Sequence, residues 1–120
     1  MARKISGGRY KKTKKKKIYE IAGQPRIVRF GKEKKKKLRV RAGKIKSVLL
    51  TTDKANVTDS KTKQTKTVKI KNVIETPANK FLARQNVLIK GAIIETELGK
   101  AKVTNRPSQE AGVNAILIQN

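Results

Sequence analysis

The chain has no cysteine, no histidine and no tryptophan, and only eight of its 120 residues are acidic. Each absence closes a class of function. Without cysteine there is no disulfide framework, no thiolate nucleophile and no zinc knuckle. Without histidine the commonest general base and metal ligand is missing. The four aromatic side chains, Tyr10, Tyr19, Phe30 and Phe81, are too few for a surface that stacks successive bases. No apolar run approaches the ~20 residues that span a bilayer, and the N-terminus lacks the apolar region of a signal peptide. These absences predict a protein of a reducing setting, cytosolic or, if its source has a nucleus, nuclear, with no membrane partner, no small-molecule substrate, no cofactor and no metal.

A catalytic reading fails for want of parts. Glu95 and Glu97 are the only closely spaced carboxylates that suggest acid–base work, and cross-strand pairing with nearby lysines explains them better. No serine lies in a nucleophile motif, and no GxxxxGK[ST] loop is present. The chain is not expected to be an enzyme.

What the sequence does have is positive charge, unevenly spread. Of the 32 lysines and arginines, 20 lie between Arg3 and Lys46, against two acidic residues, Glu20 and Glu33, so this stretch carries +18 of the net +24. Such a segment repels itself and needs a polyanion beside it to hold one shape. Lysine outnumbers arginine 24 to eight, which favours phosphate neutralisation over the bidentate reading of bases. The basic stretch has no amphipathic apolar face to insert into a lipid surface, so nucleic acid is the better partner. Lysines on a small β body suit RNA, which is read largely through shape and backbone. The alternative is a chromatin-like basic protein that binds duplex DNA without sequence preference.

The chain divides into a basic extension, residues 1–24, and a body, residues 25–120, with a Lys-rich loop at 31–37. The extension has too little apolar surface to order itself alone. In the body, Arg26 to Phe30 and Lys37 to Arg41 read as strands flanking the loop, with Leu38 and Val40 on one face and Lys37, Arg39 and Arg41 on the other. Ile45 to Thr52 is a third strand, and a short strand comes next around Ala55 to Thr58. Thr67 to Glu75 is another, with Val68, Ile70 and Ile74 directed one way; Asn72 falls on that apolar side and implies a bulge or an edge. Thr76 and Pro77 predict a helix start, as N-cap and first residue of a helix running to Asn86. Leu98-Gly99 closes a hairpin between Ala92–Glu97 and Lys100–Val103, with Glu97 facing Lys100 and Glu95 facing Lys102. Val113 to Ile118 is the last strand. The expected fold is mainly all-β: a small antiparallel six-stranded barrel with one short helix and an irregular basic N-terminal extension.

Several segments then acquire a joint meaning: Ser6-Gly7-Gly8-Arg9-Tyr10, Tyr19-Glu20-Ile21, Lys66-Thr67-Val68-Lys69-Ile70, Thr76-Pro77-Ala78-Asn79, Lys90 to Gly99, Val103 to Pro107, and Val113-Asn114-Ala115. Through them the whole chain resembles the S-eight-e family of small-subunit ribosomal proteins of archaea and eukaryotes, in its short archaeal form. The resemblance implies a six-stranded barrel, basic extensions embedded in small-subunit ribosomal RNA, neighbouring ribosomal proteins as partners, no homo-oligomer, and a structural role on the cytoplasmic ribosome. The chain departs from the family pattern at Ser108 to Gly112, at Gln85, and at Arg41-Ala42-Gly43-Lys44, where an Arg-Gly-Gly-Asn-like segment is usual.

The candidate RNA-binding residues of the extension are Arg3, Lys4, Gly7, Gly8, Arg9, Tyr10, Lys11, Lys12, Lys14, Lys15, Lys16 and Lys17. Those of the body are Arg26, Arg29, Lys34, Lys35, Lys36, Lys37, Arg39, Arg41, Lys44, Lys46, Arg84 and Arg106. The resemblance assigns fork-like phosphate contacts to Arg9, Arg39, Arg41, Arg84 and Arg106. It assigns close backbone approach to Gly7 and Gly8, and diffuse neutralisation to the lysine runs.

Overall fold

A computed structural model describes residues 3–10 and 15–118. Among these residues, eight strands and one helix run in the order β1 (Arg29–Phe30), β2 (Lys34–Arg39), β3 (Ile45–Thr52), β4 (Lys54–Thr58), β5 (Thr65–Glu75), α1 (Lys80–Arg84), β6 (Ile93–Thr96), β7 (Gly99–Val103) and β8 (Asn114–Leu117). The protein is all-β with a barrel. The closed part has five strands rather than six, β4-β5-β6-β7-β8, and β1, β3 and β2 form a separate three-stranded sheet in that order.

Closure is made by parallel pairing of β4 with β8, where Asn56, Val57 and Thr58 face Asn114, Ala115 and Ile116. No barrel strand keeps an unpaired edge, which removes the template for strand addition. The interior is filled by side chains at period two: Ala55 and Val57, Val68 and Ile70, Ile94, Ala101 and Val103, then Ala115. Alanine recurs here because five strands enclose a narrow space, which larger residues at every position would overfill. Val28, Leu49, Leu88 and Val113 join the same core from outside the barrel strands and tie the small sheet to it.

Strand β5 departs from its expected alternation for a clear reason. Ile70 faces Thr96 while Asn72 faces Glu95, so Lys71 is an extra residue. That bulge reverses the parity of the residues after it. Asn72, otherwise directed into the core, is exposed; Val73 is buried in its place and Ile74 turns outward. The Asn72 side-chain oxygen accepts the Val73 N–H at 2.9 Å and secures the bend.

The helix start differs from the expected one. Asn79 is the N-cap, its side-chain oxygen accepting the Phe81 N–H at 3.0 Å. Thr76 is instead fully buried, its carbonyl accepting the Asn79 N–H across the turn that Pro77 opens. Asn86 ends the helix with φ +52°, while its N–H donates to Ala83 O and that of Val87 to Leu82 O. This pair of bonds satisfies carbonyls that a helix end leaves open, and asparagine tolerates the left-handed geometry.

The first strands are also rearranged. Lys34 to Lys36, expected in a loop, join Lys37 in β2, which ends at Arg39 rather than Arg41, and of the expected strand Arg26 to Phe30 only Arg29–Phe30 pairs as a strand. It lies parallel to β3, not beside β2, with Phe30 N–H bonding Asn86 O and Leu88 N–H bonding Val28 O on its other side. In the β6–β7 hairpin, Thr96 faces Gly99, Glu95 faces Lys100, Ile94 faces Ala101 and Ile93 faces Lys102. The register is displaced by two residues from the expected one, and Glu97 lies in the turn. A two-residue displacement leaves every side chain on its original face, so the apolar pattern alone does not choose between them. Turn chemistry does: Gly99 takes φ +122°, and the Thr96 hydroxyl donates to its carbonyl at 2.8 Å.

Candidate nucleic-acid interface

Most of the candidate cations sit on three supports, with Arg26, Arg29 on β1 and Arg106 outside them. The extension begins with a tight reversal in which Lys4 N–H bonds Gly8 O and Gly7 N–H bonds Lys4 O, both at 2.9 Å, bringing Arg3 opposite Arg9. Gly7 adopts φ +77°, and no atom lies within 4 Å of where a Cβ would stand, so the turn rather than crowding calls for glycine there. The Lys4 ammonium lies 5.8 Å from the Tyr10 ring centre, and that of Lys17 lies 5.7 Å from the Tyr19 ring. Ile18–Glu20 forms one 3-10 turn, with Lys17 N–H donating to the Glu20 carboxylate at 2.8 Å. Lys11, Lys12 and Lys14 lie outside the described residues.

Arg26 marks where the extension meets the body. Its Nε donates to Ser108 O at 3.2 Å, so this candidate has a structural duty beside any phosphate contact. The loop it grips is stapled by Asn105, whose amide donates to Glu110 and to Gly112 O and whose oxygen accepts Asn114 N–H. Arg106 rides on that loop and is exposed.

The second support is the β2–β3 hairpin, which carries Lys34 to Lys37, Arg39, Arg41, Lys44 and Lys46, all exposed. Lys35 pairs with Glu33 at the surface, an ion pair that contributes little stability and leaves the lysine available. At the hairpin tip Ala42 and Gly43 both have positive φ, +58° and +68°. The expected apolar inside of this hairpin is only partly realised, since Leu38 is half-buried and Val40 exposed.

The third support is α1, where Arg84 stands one helical turn from Lys80. Together with Asn72, Glu75 and Asn86 they line an open groove of about 510 Å³ between the helix and the bulged end of β5. Lys80 is not among the candidates from the sequence; the signal that could have found it is its i,i+4 spacing from Arg84. Every described lysine and arginine among the candidates is exposed. The cations therefore form no single pocket; they spread along an extension, a ribbon, a helix and the loop that carries Arg106.

The fold defines the class as a small closed all-β barrel that carries exposed cationic segments. The comparison with known families makes it specific. The family model for ribosomal protein S8e matches residues 1–118, and the chain belongs to that family. The chain is 44% identical over 119 residues to small ribosomal subunit protein eS8 of Sulfolobus acidocaldarius, covering 98% of this chain and 93% of that one. It is 43% identical to the Nanoarchaeum equitans protein of the same name, covering 98% and 92%, and 49% identical to that of Methanococcus aeolicus, covering 97% and 91%.

Proposed function

We propose that this protein is a structural constituent of the small ribosomal subunit in the cytoplasm, and that it binds and stabilises ribosomal RNA by neutralising phosphates with lysine and arginine. The carrying observation is that the described candidate cations are all exposed while the barrel beneath them is closed. The barrel supplies a rigid foothold. The extension of residues 1–24 and the hairpin lay charge along RNA, with neighbouring ribosomal proteins around them. Six to ten such contacts make affinity fall by about 10³–10⁵ between 50 and 200 mM salt.

The test is competition across a salt series between small-subunit ribosomal RNA and duplex DNA of equal phosphate number. The expected outcome is tighter binding to the RNA at every salt concentration. Equal affinities with equal salt slopes would instead describe a protein that coats duplex DNA.

A further inference from the structure

The outer half of the β2–β3 ribbon is covered by no other described part of this chain, on either face. Residues directly opposite in an antiparallel pair share a face. The register therefore places Lys36 and Lys46 with Leu38 and Val48 on one face, and Lys35, Lys37 and Arg39 with Ile45 and Leu49 on the other. Val48 and Leu49 are neighbours on opposite faces and both are buried, so the body encloses the ribbon at its base from both sides. Beyond them it is open: Ile45 is 69% exposed and Val40 41%.

A ribbon meant to lie on one RNA backbone needs charge on one face and can leave the other neutral. A strand that only guards a sheet edge with lysine has no use for exposed isoleucine and valine at its tip. Here both faces are cationic and both carry apolar side chains that water does not favour. The ribbon is also stiff, paired from Lys35 opposite Leu49 to Arg39 opposite Ile45, so its two charged faces stay a fixed distance apart. The flexible lysine runs of the extension have no such fixed geometry.

We propose that the β2–β3 ribbon inserts between two phosphate backbones and holds two RNA helices side by side. This rests on the RNA-binding reading above and names the kind of RNA that the ribbon selects: a junction of two helices rather than a single duplex.

The test uses the full chain and two RNA probes of equal phosphate number, one a straight duplex and one a pair of helices meeting at an unpaired junction. Two variants each neutralise one face, K36Q with K46Q and K35Q with K37Q and R39Q, and their thermal melts confirm that both fold. The wild type should bind the junction RNA at least about tenfold more tightly, with a steeper salt dependence. Each variant should lose that preference, with the slope on the junction RNA falling by about two for the first and about three for the second. On the straight duplex only one face can engage at a time, so each variant should lose less affinity there than on the junction RNA, and the ratio of the two affinities is the readout. Backbone cleavage protection should show two separate tracts on the junction RNA for the wild type and one for each variant. Equal wild-type affinity for the two probes, or a preference lost in only one variant, would overturn the clamp while leaving RNA binding intact. Failure to bind either probe would overturn the RNA-binding reading and the clamp together.

Discussion

The barrel and the segments before it solve the same backbone problem in opposite ways. In β4 to β8 each strand is paired on both sides and side chains are buried in alternation except across the β5 bulge, so the hydrogen bonds and the core come from the chain itself. Among the described residues before Val28 none is buried, and apart from the Arg26 bond to Ser108 O their described hydrogen bonds are short turns. The radius of gyration is 20.8 Å, against about 14 Å for a compact domain of this length. The contrast separates a barrel that packs on itself from segments that pack against little else of the described chain. Changes in the barrel should act on folding, and changes in the extension on RNA affinity.

The largest effect that could break this separation is a truncation. Removing residues 1–24 takes away nine lysines and arginines. It should weaken binding to ribosomal RNA by roughly a hundredfold or more near physiological salt. The remaining body should still melt in one cooperative transition by circular dichroism. Loss of that transition would mean that the extension is part of the fold.

A matched pair of core and extension substitutions comes next. Ile94 is fully buried in the barrel, and Ile94→Ala should cost about 2–5 kcal/mol in urea denaturation. Ile18, almost fully exposed, should lose no measurable stability on truncation to alanine.

Thr76 sharpens the comparison from within the body. Its hydroxyl is buried without a hydrogen-bond partner, which is costly in a region otherwise well satisfied. Thr76→Val removes the polar group at nearly the same shape and should stabilise the body by about 1 kcal/mol, read as a higher urea midpoint at unchanged slope.

The smallest effect belongs to the hairpin tip. Ala42 holds φ +58°, a left-handed geometry that glycine adopts without the Cβ penalty. Ala42→Gly should relieve that strain and add up to about 1 kcal/mol to stability, without changing the salt dependence of RNA binding. A change in that dependence would show that the tip conformation itself is set by RNA.

The cationic segment was legible because charge is a property of composition, and a segment with 20 basic and two acidic residues declares itself without a fold. Strand β3 was also legible to the residue, since its apolar run is bounded by Gly43 and Asp53. The role of Lys34 to Lys37 was not. Four successive lysines carry no alternation, so only pairing with Ser47 to Thr51 makes them a strand and distributes them over two faces. Lys80 stayed hidden because the groove that gathers it with Arg84 and Asn72 depends on where the bulge in β5 falls.

The sequence by itself determined the segregation of charge, the all-β character and which side chains seek the interior, because these arise from residue type and short-range periodicity. Only the tertiary structure decided that β1 lies against β3, that β4 closes on β8, and that Glu95 meets Lys100 instead of Lys102. Periodicity of two fixes the face of a side chain but neither its neighbour nor an even-numbered shift of register. Those are settled by which arrangement pairs every backbone group and fills a narrow core without a void.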